Sequence, residues 1–399
     1  MVLSRLSFPR LTLAMMIVPL LALTSPSAAQ PWRVADTPLR ALMHTSTSTS
    51  THFLYVDNGA LGDAQQTGGV GMRLDSISGY QITPGGLIPT PGSPYPTPGF
   101  QNSIYGANSL ATSLANGPCV FHTDGGSGQV ESFSVAANGS LSLVSTITVG
   151  TLLGTADDIH VSADGRYVYV ALWNSLGPSY LDVFTVGSGC SLTLASTTQR
   201  ANAVYYSIAL ISSTQLMAID FLNSRIDIYQ ITNGTRLSLL TSTQSQLLGP
   251  SGAAAAQIGT RTYIFNGIST LLPGEAEAHT VNSQGILGLV PGSPQIDIKS
   301  LDGAYVFFDR SHQQLIESEQ LSNSLGVYGL RLGLFALLGH TALPGGNVPV
   351  ALTELGSELF VINALSGIVD ACAIGTGSLK CVWAATLSIF ELPDGIGVL

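Results

Sequence analysis

A strand-rich unit that returns about every 49 residues, seven times over, constrains the fold of this chain most. An apolar strand recurs at residues 53–56, 119–122, 167–170, 216–219, 262–265, 305–308 and 359–362. A second strand recurs around Tyr80, Phe133, Phe184, Tyr229, His279, Tyr328 and Cys372. A period of this length built only from strands is typical of a β-propeller. We therefore predict an all-β, seven-bladed β-propeller with four antiparallel strands per blade and almost no helix.

Composition supports one large domain. The 399 residues include 44 Gly and 20 Pro, which supply the many tight turns of an antiparallel protein. Radial repetition allows a single domain of this size. We assign residues 52–390 to the propeller and residues 391–399 to a C-terminal tail.

The N-terminus has the pattern of a secretory signal peptide. Arg5 and Arg10 precede a mostly apolar run at residues 11–23, and small residues follow at Ser27, Ala28 and Ala29. We expect residues 1–29 to be removed, residues 30–51 to form a flexible leader, and the protein to be secreted or periplasmic. An uncleaved anchor is the alternative. No later segment has the sequence of a transmembrane span.

The charge composition excludes some partners. Only 10% of residues are charged, the net charge is −10, and the lysines are Lys299 and Lys380. A chain without a basic patch does not attract phosphates, so we expect no nucleic-acid partner. We expect a monomer that binds a small molecule, a glycan or a surface protein. No motif predicts a cofactor or a metal.

Four cysteines in an exported chain allow three pairings. Cys372 and Cys381 flank a Gly-Thr-Gly turn, and a two-residue loop places them directly opposite each other in a hairpin, close enough for a disulfide. Cys119 and Cys190 lie at hairpin turns of neighbouring blades on one face of the propeller. They form either a bridge between blades or two buried thiols.

Several motifs resemble those of the seven-bladed lactonase-like propellers, namely the 6-phosphogluconolactonase type and its secreted YVTN-repeat relatives. The strand at residues 162–170 reads Ser-x-Asp-Gly-x-Tyr-x-Tyr-Val, and a degenerate copy lies at residues 300–308. Pro-Gly-Ser-Pro occurs at residues 91–94 and again at residues 291–294. The resemblance covers nearly the whole mature chain and implies a lactonase activity on a small cyclic ester.

The catalytic pattern of that family is not matched. Its enzymes carry an Arg-His pair shortly before the turn of some blades. The aligned positions here read Asp157-Asp158, Gln295-Ile296 and Val348-Pro349. Carboxylates at such a place repel an acidic sugar, so 6-phosphogluconolactone is not the expected substrate.

We expect polar residues at strand ends and blade connections to share one rim. They are Asp57, Asn58, His122, Asp124, Asp157, Asp158, His160, Asn174, Asp220, Asn223, Asn266, Asp309, Arg310 and Asn363. Most Asp and Asn at such places hold turns through their own backbone. Asp309 and Arg310 with nearby His312 combine an acid, a fixed cation and a titratable base.

If a catalytic site exists, we expect Asp158, His160, Asp309, Arg310 and His312 to form it, with Arg310 orienting the substrate and a histidine acting as base. Two functions remain open. The first is ligand or partner binding at the rim, and the second is a lactonase-type hydrolase. A deep pocket that brings His160 or Arg310 together with Asp158 favours hydrolysis.

Overall fold

The computed structural model describes residues 51–59, 76–99, 108–149, 154–174, 178–268, 273–301, 303–387 and 393–399. The expected signal peptide and nearly all of the expected leader lie outside these residues. The described strands form seven sheets, each with a four-stranded antiparallel path, and the described residues include no α-helix. The prediction of a seven-bladed propeller is confirmed. No described helix has the length and apolarity needed to cross a membrane.

The strands are numbered in chain order and grouped by blade. Blade 1 consists of β1 (His52–Asn58), β2 (Ser76–Thr83), β3 (Gly86–Pro89), the short β4 (Tyr95–Pro96) and the innermost β30 (Pro393–Val398). Blade 2 consists of β5 (Leu110–Ser113), β6 (Cys119–Asp124), β7 (Gln129–Val135) and β8 (Leu141–Thr148). Blade 3 consists of β9 (Gly154–Val161), β10 (Tyr167–Asn174), β11 (Ser179–Val186) and β12 (Leu192–Arg200).

The remaining blades follow in the same order. Blade 4 consists of β13 (Tyr205–Ser212), β14 (Gln215–Asp220), β15 (Arg225–Thr232) and β16 (Arg236–Gln244). Blade 5 consists of β17 (Pro250–Ile258), β18 (Arg261–Ile268), β19 (Pro273–Val281), β20 (Leu287–Leu289) and β21 (Gln295–Leu301). Blade 6 consists of β22 (Gly303–Asp309), β23 (Gln314–Glu319), β24 (Ser324–Arg331) and β25 (Leu334–Ala342). Blade 7 consists of β26 (Pro349–Leu355), β27 (Glu358–Asn363), β28 (Ile368–Gly375) and β29 (Ser378–Thr386).

The C-terminal strand closes the ring. β30 pairs with β1 and becomes the innermost strand of blade 1. The expectation of a tail at residues 391–399 is therefore wrong. The segment is short and rich in Gly, and its apolar residues Ile396 and Val398 pack between blades 1 and 7.

One landmark of the repeat also lies elsewhere than expected. Residues 305–308 belong to β22, the innermost strand of blade 6, and β23 is the second strand. The sequence predicted a different place for this strand because residues 300–308 repeat the motif at residues 162–170, which leads into β10, the second strand of blade 3. It also displaces Gln295, which lies in β21 and pairs with β19 of blade 5.

The hydrophobic core lies between blades. The cluster between blades 3 and 4 includes Tyr169, Leu181, Tyr205 and Leu216. These side chains come from the alternating apolar positions of neighbouring sheets, so each blade buries its two faces against the two blades beside it.

Each blade turns at two rims, which we name for what they carry. The hairpin rim carries the turns between first and second strands and between third and fourth strands. The connection rim carries the turns between second and third strands and the passages to the next blade. Both disulfides lie on the hairpin-rim side, Cys119–Cys190 between blades 2 and 3 and Cys372–Cys381 within blade 7. The expected facing pair at Cys372 and Cys381 is confirmed, and the open question for Cys119 and Cys190 resolves to a bridge.

Candidate functional site

A cavity of about 1050 Å³ occupies the central channel and opens at the hairpin rim. The innermost strands of blades 3 to 7 line most of it. Its lining includes Asn108, His160, Ala209, Leu210, Ala253, Ala254, Ala255, Tyr305, Phe307, Arg310, Leu352 and Glu354. Titratable, cationic and apolar side chains therefore share one space.

Blade 3 contributes a His–Asp pair from β9. Asp158 is fully buried and accepts hydrogen bonds from the Ser207 hydroxyl (2.8 Å) and the Ile208 backbone N–H (2.7 Å) of blade 4. His160 Nε2 lies 3.5 Å from Asp158 Oδ2, and 30% of the His160 side chain is exposed. Burial alone lowers the pKa of His160, but the Asp158 carboxylate outweighs burial and raises that pKa above its usual value. The pair thus presents an oriented imidazole to the cavity.

The floor of the cavity is a hydrogen bond across the channel. Tyr305 of blade 6 is bonded through its side chain to Asn108, which precedes blade 2. Asn108 in turn is anchored to the closing strand, because its Oδ1 accepts from Ile396 N–H (2.8 Å) and its Nδ2 donates to Ile396 C=O (3.0 Å). Blades 6 and 2 are not neighbours, so this contact spans the channel. Burial and the Asp158 carboxylate raise the pKa of Tyr305, while the hydrogen bond with Asn108 opposes the rise.

Blades 6 and 7 supply the opposite wall. Asp309 ends β22 and holds the turn that follows, accepting from Ser311 N–H (2.8 Å) and lying 2.8 Å from His312 Nδ1. Arg310 occupies the same turn and lines the cavity. Glu354 lies beside it near the end of β26. Burial raises the pKa of Glu354 to about 7 with a further contribution from Asp309, while His312 and Arg310 oppose the rise.

The five candidate residues split between two walls. Asp158 and His160 lie on blade 3, whereas Asp309, Arg310 and His312 lie on blade 6, across the channel. His160 and Arg310 line the same cavity, with Asp158 behind His160 and Asp309 and His312 behind Arg310. The sequence analysis placed Asp158, His160, Asp309 and Arg310 on the rim with Asp57 and Asp220, and His312 nearby. The structure differs: β22 is an innermost strand and ends at the hairpin rim with Asp309, and His160 is the penultimate residue of β9, which ends at that same rim.

The other polar strand ends hold the connection rim together. Asp220 Oδ1 accepts from Val204 N–H (3.1 Å) and Asn223 N–H (3.3 Å), and its Oδ2 accepts from Arg225 (2.8 Å). Asn266 donates to Glu277 (3.1 Å), and Asn363 donates in the same way to the acid of the neighbouring strand. The Asp220 contacts agree with the interpretation that Asp and Asn at such places stabilise turns, whereas the Asn266 and Asn363 contacts link neighbouring strands.

Two groups of side chains lie close enough to share a metal ion among the described residues. They are His122, Asp124 and Glu131, and Asp297, Glu319 and His340. In each group the histidine already faces a carboxylate at 3.0–3.3 Å. Each of these histidines is therefore already in contact with at least one carboxylate of its own group.

Glu354, Tyr305 and Asn108 were missed by the sequence analysis. Glu354 is the penultimate residue of an innermost strand, as His160 is, and that shared position was the available signal. Tyr305 was hidden by the misassignment of β22. Asn108 could not be found, because its partners come from blades 1 and 6.

Comparisons with known proteins support the fold. No protein-family model matches the chain, and no curated protein matches it. Among solved structures, the periplasmic gluconolactonase of Pseudomonas aeruginosa is 14% identical with a TM-score of 0.68, over 88% of this chain and 99% of that one. A candidate 6-phosphogluconolactonase from Bacteroides uniformis is 16% identical with a TM-score of 0.65, over 88% and 99%. A protein from Lactobacillus plantarum is 14% identical with a TM-score of 0.68, over 88% and 100%. The chain shares the propeller fold of these three proteins.

Proposed function

We propose that this protein binds a small cyclic ester at the channel mouth and hydrolyses it to a hydroxy acid. The observation that carries the proposal is the shared cavity, in which the Asp158–His160 pair faces Arg310 and Glu354. A positioned imidazole with a pKa above 6.5 can act as a base near neutral pH. A cation on the opposite wall can polarise a carbonyl oxygen.

The chemistry needs only water and these side chains. His160 accepts a proton from water through Nδ1 as the water oxygen adds to the ester carbonyl carbon. Arg310 stabilises the negative charge that develops on the carbonyl oxygen. The ring C–O bond then breaks, and the departing ring oxygen takes the proton from His160. Asp158 positions the imidazole and stabilises its charged form.

Non-catalytic ligand binding is the second candidate function. The Arg-His pairs of the enzymatic lactonase-like propellers are absent from the aligned positions of this sequence. A channel that keeps the fold and lacks those pairs fits a binding protein, and the same cavity at the rim would then hold the ligand.

We also propose export to the periplasm or the cell exterior. The signal-peptide pattern of residues 1–29 and the two disulfides support an oxidising compartment.

Location and charge both argue against 6-phosphogluconolactone as the substrate. Two arginines line the cavity, and Arg166 lies 2.6 Å from Asp164, which offsets its charge.

Turnover of a lactone panel by the purified mature protein tests the proposal. We expect hydrolysis above the spontaneous rate, with kcat/KM about 10²-fold lower in Arg310→Ala. The matched control is Arg261→Ala, since Arg261 occupies the corresponding hairpin of blade 5 outside the cavity. Equal losses in both variants, or no turnover of any lactone, would contradict hydrolysis at this site.

A further inference from the structure

The cavity has two chemically different halves. Its polar half comprises His160 of blade 3 with Arg310 and Glu354 of blades 6 and 7. The half formed by blades 4 and 5 is mostly apolar: it is lined by Ala209, Leu210, Ile211, Ala253, Ala254 and Ala255, with Ser212 and Ser213 at the hairpin-rim end of blade 4. A ligand that fills both halves must itself have a polar and an apolar end.

The side chains that line the half formed by blades 4 and 5 are small. β17 carries alanine at four consecutive positions, residues 253–256, three of which line the cavity. The corresponding strand of blade 6 carries Tyr305 and Phe307 instead. Small side chains on one wall therefore leave room beside the reacting groups.

The cavity also extends outward between blades 3 and 4. Its lining there includes Tyr167, Tyr169, Asn233 and Gly234. Tyr169 donates to Gly234 C=O (2.8 Å), which fixes this side of the extension. Cavities of about 300–1,000 Å³ hold drug-sized molecules, so the space of about 1050 Å³ exceeds what a bare lactone ring needs.

We infer that the substrate is a lactone that carries an alkyl or aryl substituent, with its ring at the polar half and its substituent against Leu210 and Ala253–Ala255. This inference rests on the proposed function for the reaction and on the cavity for the substituent. A polyhydroxylated sugar lactone fits less well, because hydroxyl groups placed against alanine and leucine side chains lose hydrogen bonds to water.

The test compares γ-butyrolactones with methyl, butyl and hexyl substituents against glucono-δ-lactone. Each methylene that becomes buried favours binding about fourfold, so we expect kcat/KM to rise at least tenfold from the methyl to the hexyl compound. Ala255→Asp should remove most of that rise, since Ala255 lines the cavity and is only partly buried. Ala137→Asp, in an exposed turn of blade 2, is the matched control, and thermal melting checks that both variants fold.

A second arm separates this inference from the proposed function. Affinity is measured by calorimetry for the corresponding alkyl γ-lactams, which resist hydrolysis. Lactam affinity that rises with the length of the alkyl chain, and that Ala255→Asp weakens, supports binding at the apolar half even if no lactone is hydrolysed. In that case only the proposed hydrolase activity is contradicted. Turnover that is independent of chain length, or that is best for glucono-δ-lactone, overturns the inference and leaves the hydrolase standing. Neither turnover nor lactam binding overturns both.

Discussion

Both rims of the propeller contain histidines paired with carboxylates, but the pairs at the two rims differ in exposure and in what they can do. At the connection rim, Asp57, His122 and Glu131 are fully buried, and His122 joins the two acids at 3.1 Å and 3.3 Å. At the hairpin rim, His160 pairs with Asp158 but keeps 30% of its side chain exposed. Full burial of paired groups holds blades together, whereas partial exposure leaves a group that can meet a ligand.

The connection-rim network also closes the ring. His122 belongs to blade 2, while Asp57 belongs to β1 and Asp394 to the innermost strand β30 of blade 1. The Ser109 hydroxyl lies 2.6 Å from Asp57 and 3.1 Å from Asp394. Burial and the Asp57 charge raise the pKa of Asp394 well above its usual value, which favours its protonated form. The fully buried His122 therefore fits a structural role, and its counterpart in the cavity, His160, is the residue to which we propose a functional role.

The largest expected effect is on catalysis at the hairpin rim. His160→Gln should lower kcat/KM by about 10²–10⁴-fold with little change in melting temperature, because it removes the base. In the wild type, kcat/KM should rise with pH through a value above 6.5, and Asp158→Asn should move that limb to lower pH by removing the charge that raises the His160 pKa. His52→Gln, outside the cavity, serves as control. An unchanged rate in His160→Gln would contradict the assigned base.

The next effect concerns the covalent links of the hairpin rim. The Cys119–Cys190 bridge closes 71 residues and the Cys372–Cys381 bridge closes 9. By loop-closure entropy, replacing the first pair with alanine should cost about 4 kcal/mol of unfolding free energy and the second about 3 kcal/mol. Urea denaturation measures both. If removing the Cys372–Cys381 bridge costs more unfolding free energy than removing the Cys119–Cys190 bridge, the bridge between blades adds little stability to the hairpin rim.

The sequence predicts repetition well and the contacts between distant blades poorly. Blade number and the Cys372–Cys381 pair follow from local periodicity and hairpin register, which need only neighbouring residues. The position of β22 within its blade does not follow from local sequence, since its Asp-Gly-x-Tyr motif fits either of two adjacent strands. The cavity floor depends on the contact between Tyr305 and Asn108 across the channel, and only the arrangement of the sheets brings these two residues together.

The third effect tests the connection rim directly. His122→Gln should lower the unfolding free energy by about 3 kcal/mol at neutral pH, because it leaves buried carboxylates without their cation. Burial alone lowers the His122 pKa, but Asp57 and Glu131 raise it well above 6.5. The stability from the charged His122 is thus present at acidic and neutral pH and fades as pH rises through that raised value. Denaturation from pH 6 to 10 should show the deficit of the variant shrinking, while kcat/KM per folded molecule stays near wild type. A deficit that is constant with pH would mean His122 is uncharged.

The smallest effect concerns an acid of blade 3 that burial penalises. Burial raises the pKa of Asp182 to about 6 although Thr197 bonds to it, and Oδ1 has no hydrogen-bond partner among the described residues. The folded state therefore binds the proton more tightly than the unfolded chain, whose pKa is near 3.8. Stability must fall as pH rises from about 4 to about 6 and then level off.

Asp182→Asn should remove that fall and raise the unfolding free energy by about 1–2 kcal/mol at pH 7, with no gain near pH 4. Asp164→Asn is the matched control of opposite sign. The Ser162 hydroxyl bonds to Asp164 and outweighs a small burial effect, and with Arg166 it lowers the pKa of this exposed acid. That variant should gain nothing at pH 7. If Asp182→Asn destabilises the protein at pH 7, the Asp182 carboxylate is a pairing partner in the blade. The distinction between acids that stabilise the propeller and acids that destabilise it would then not extend to blade 3.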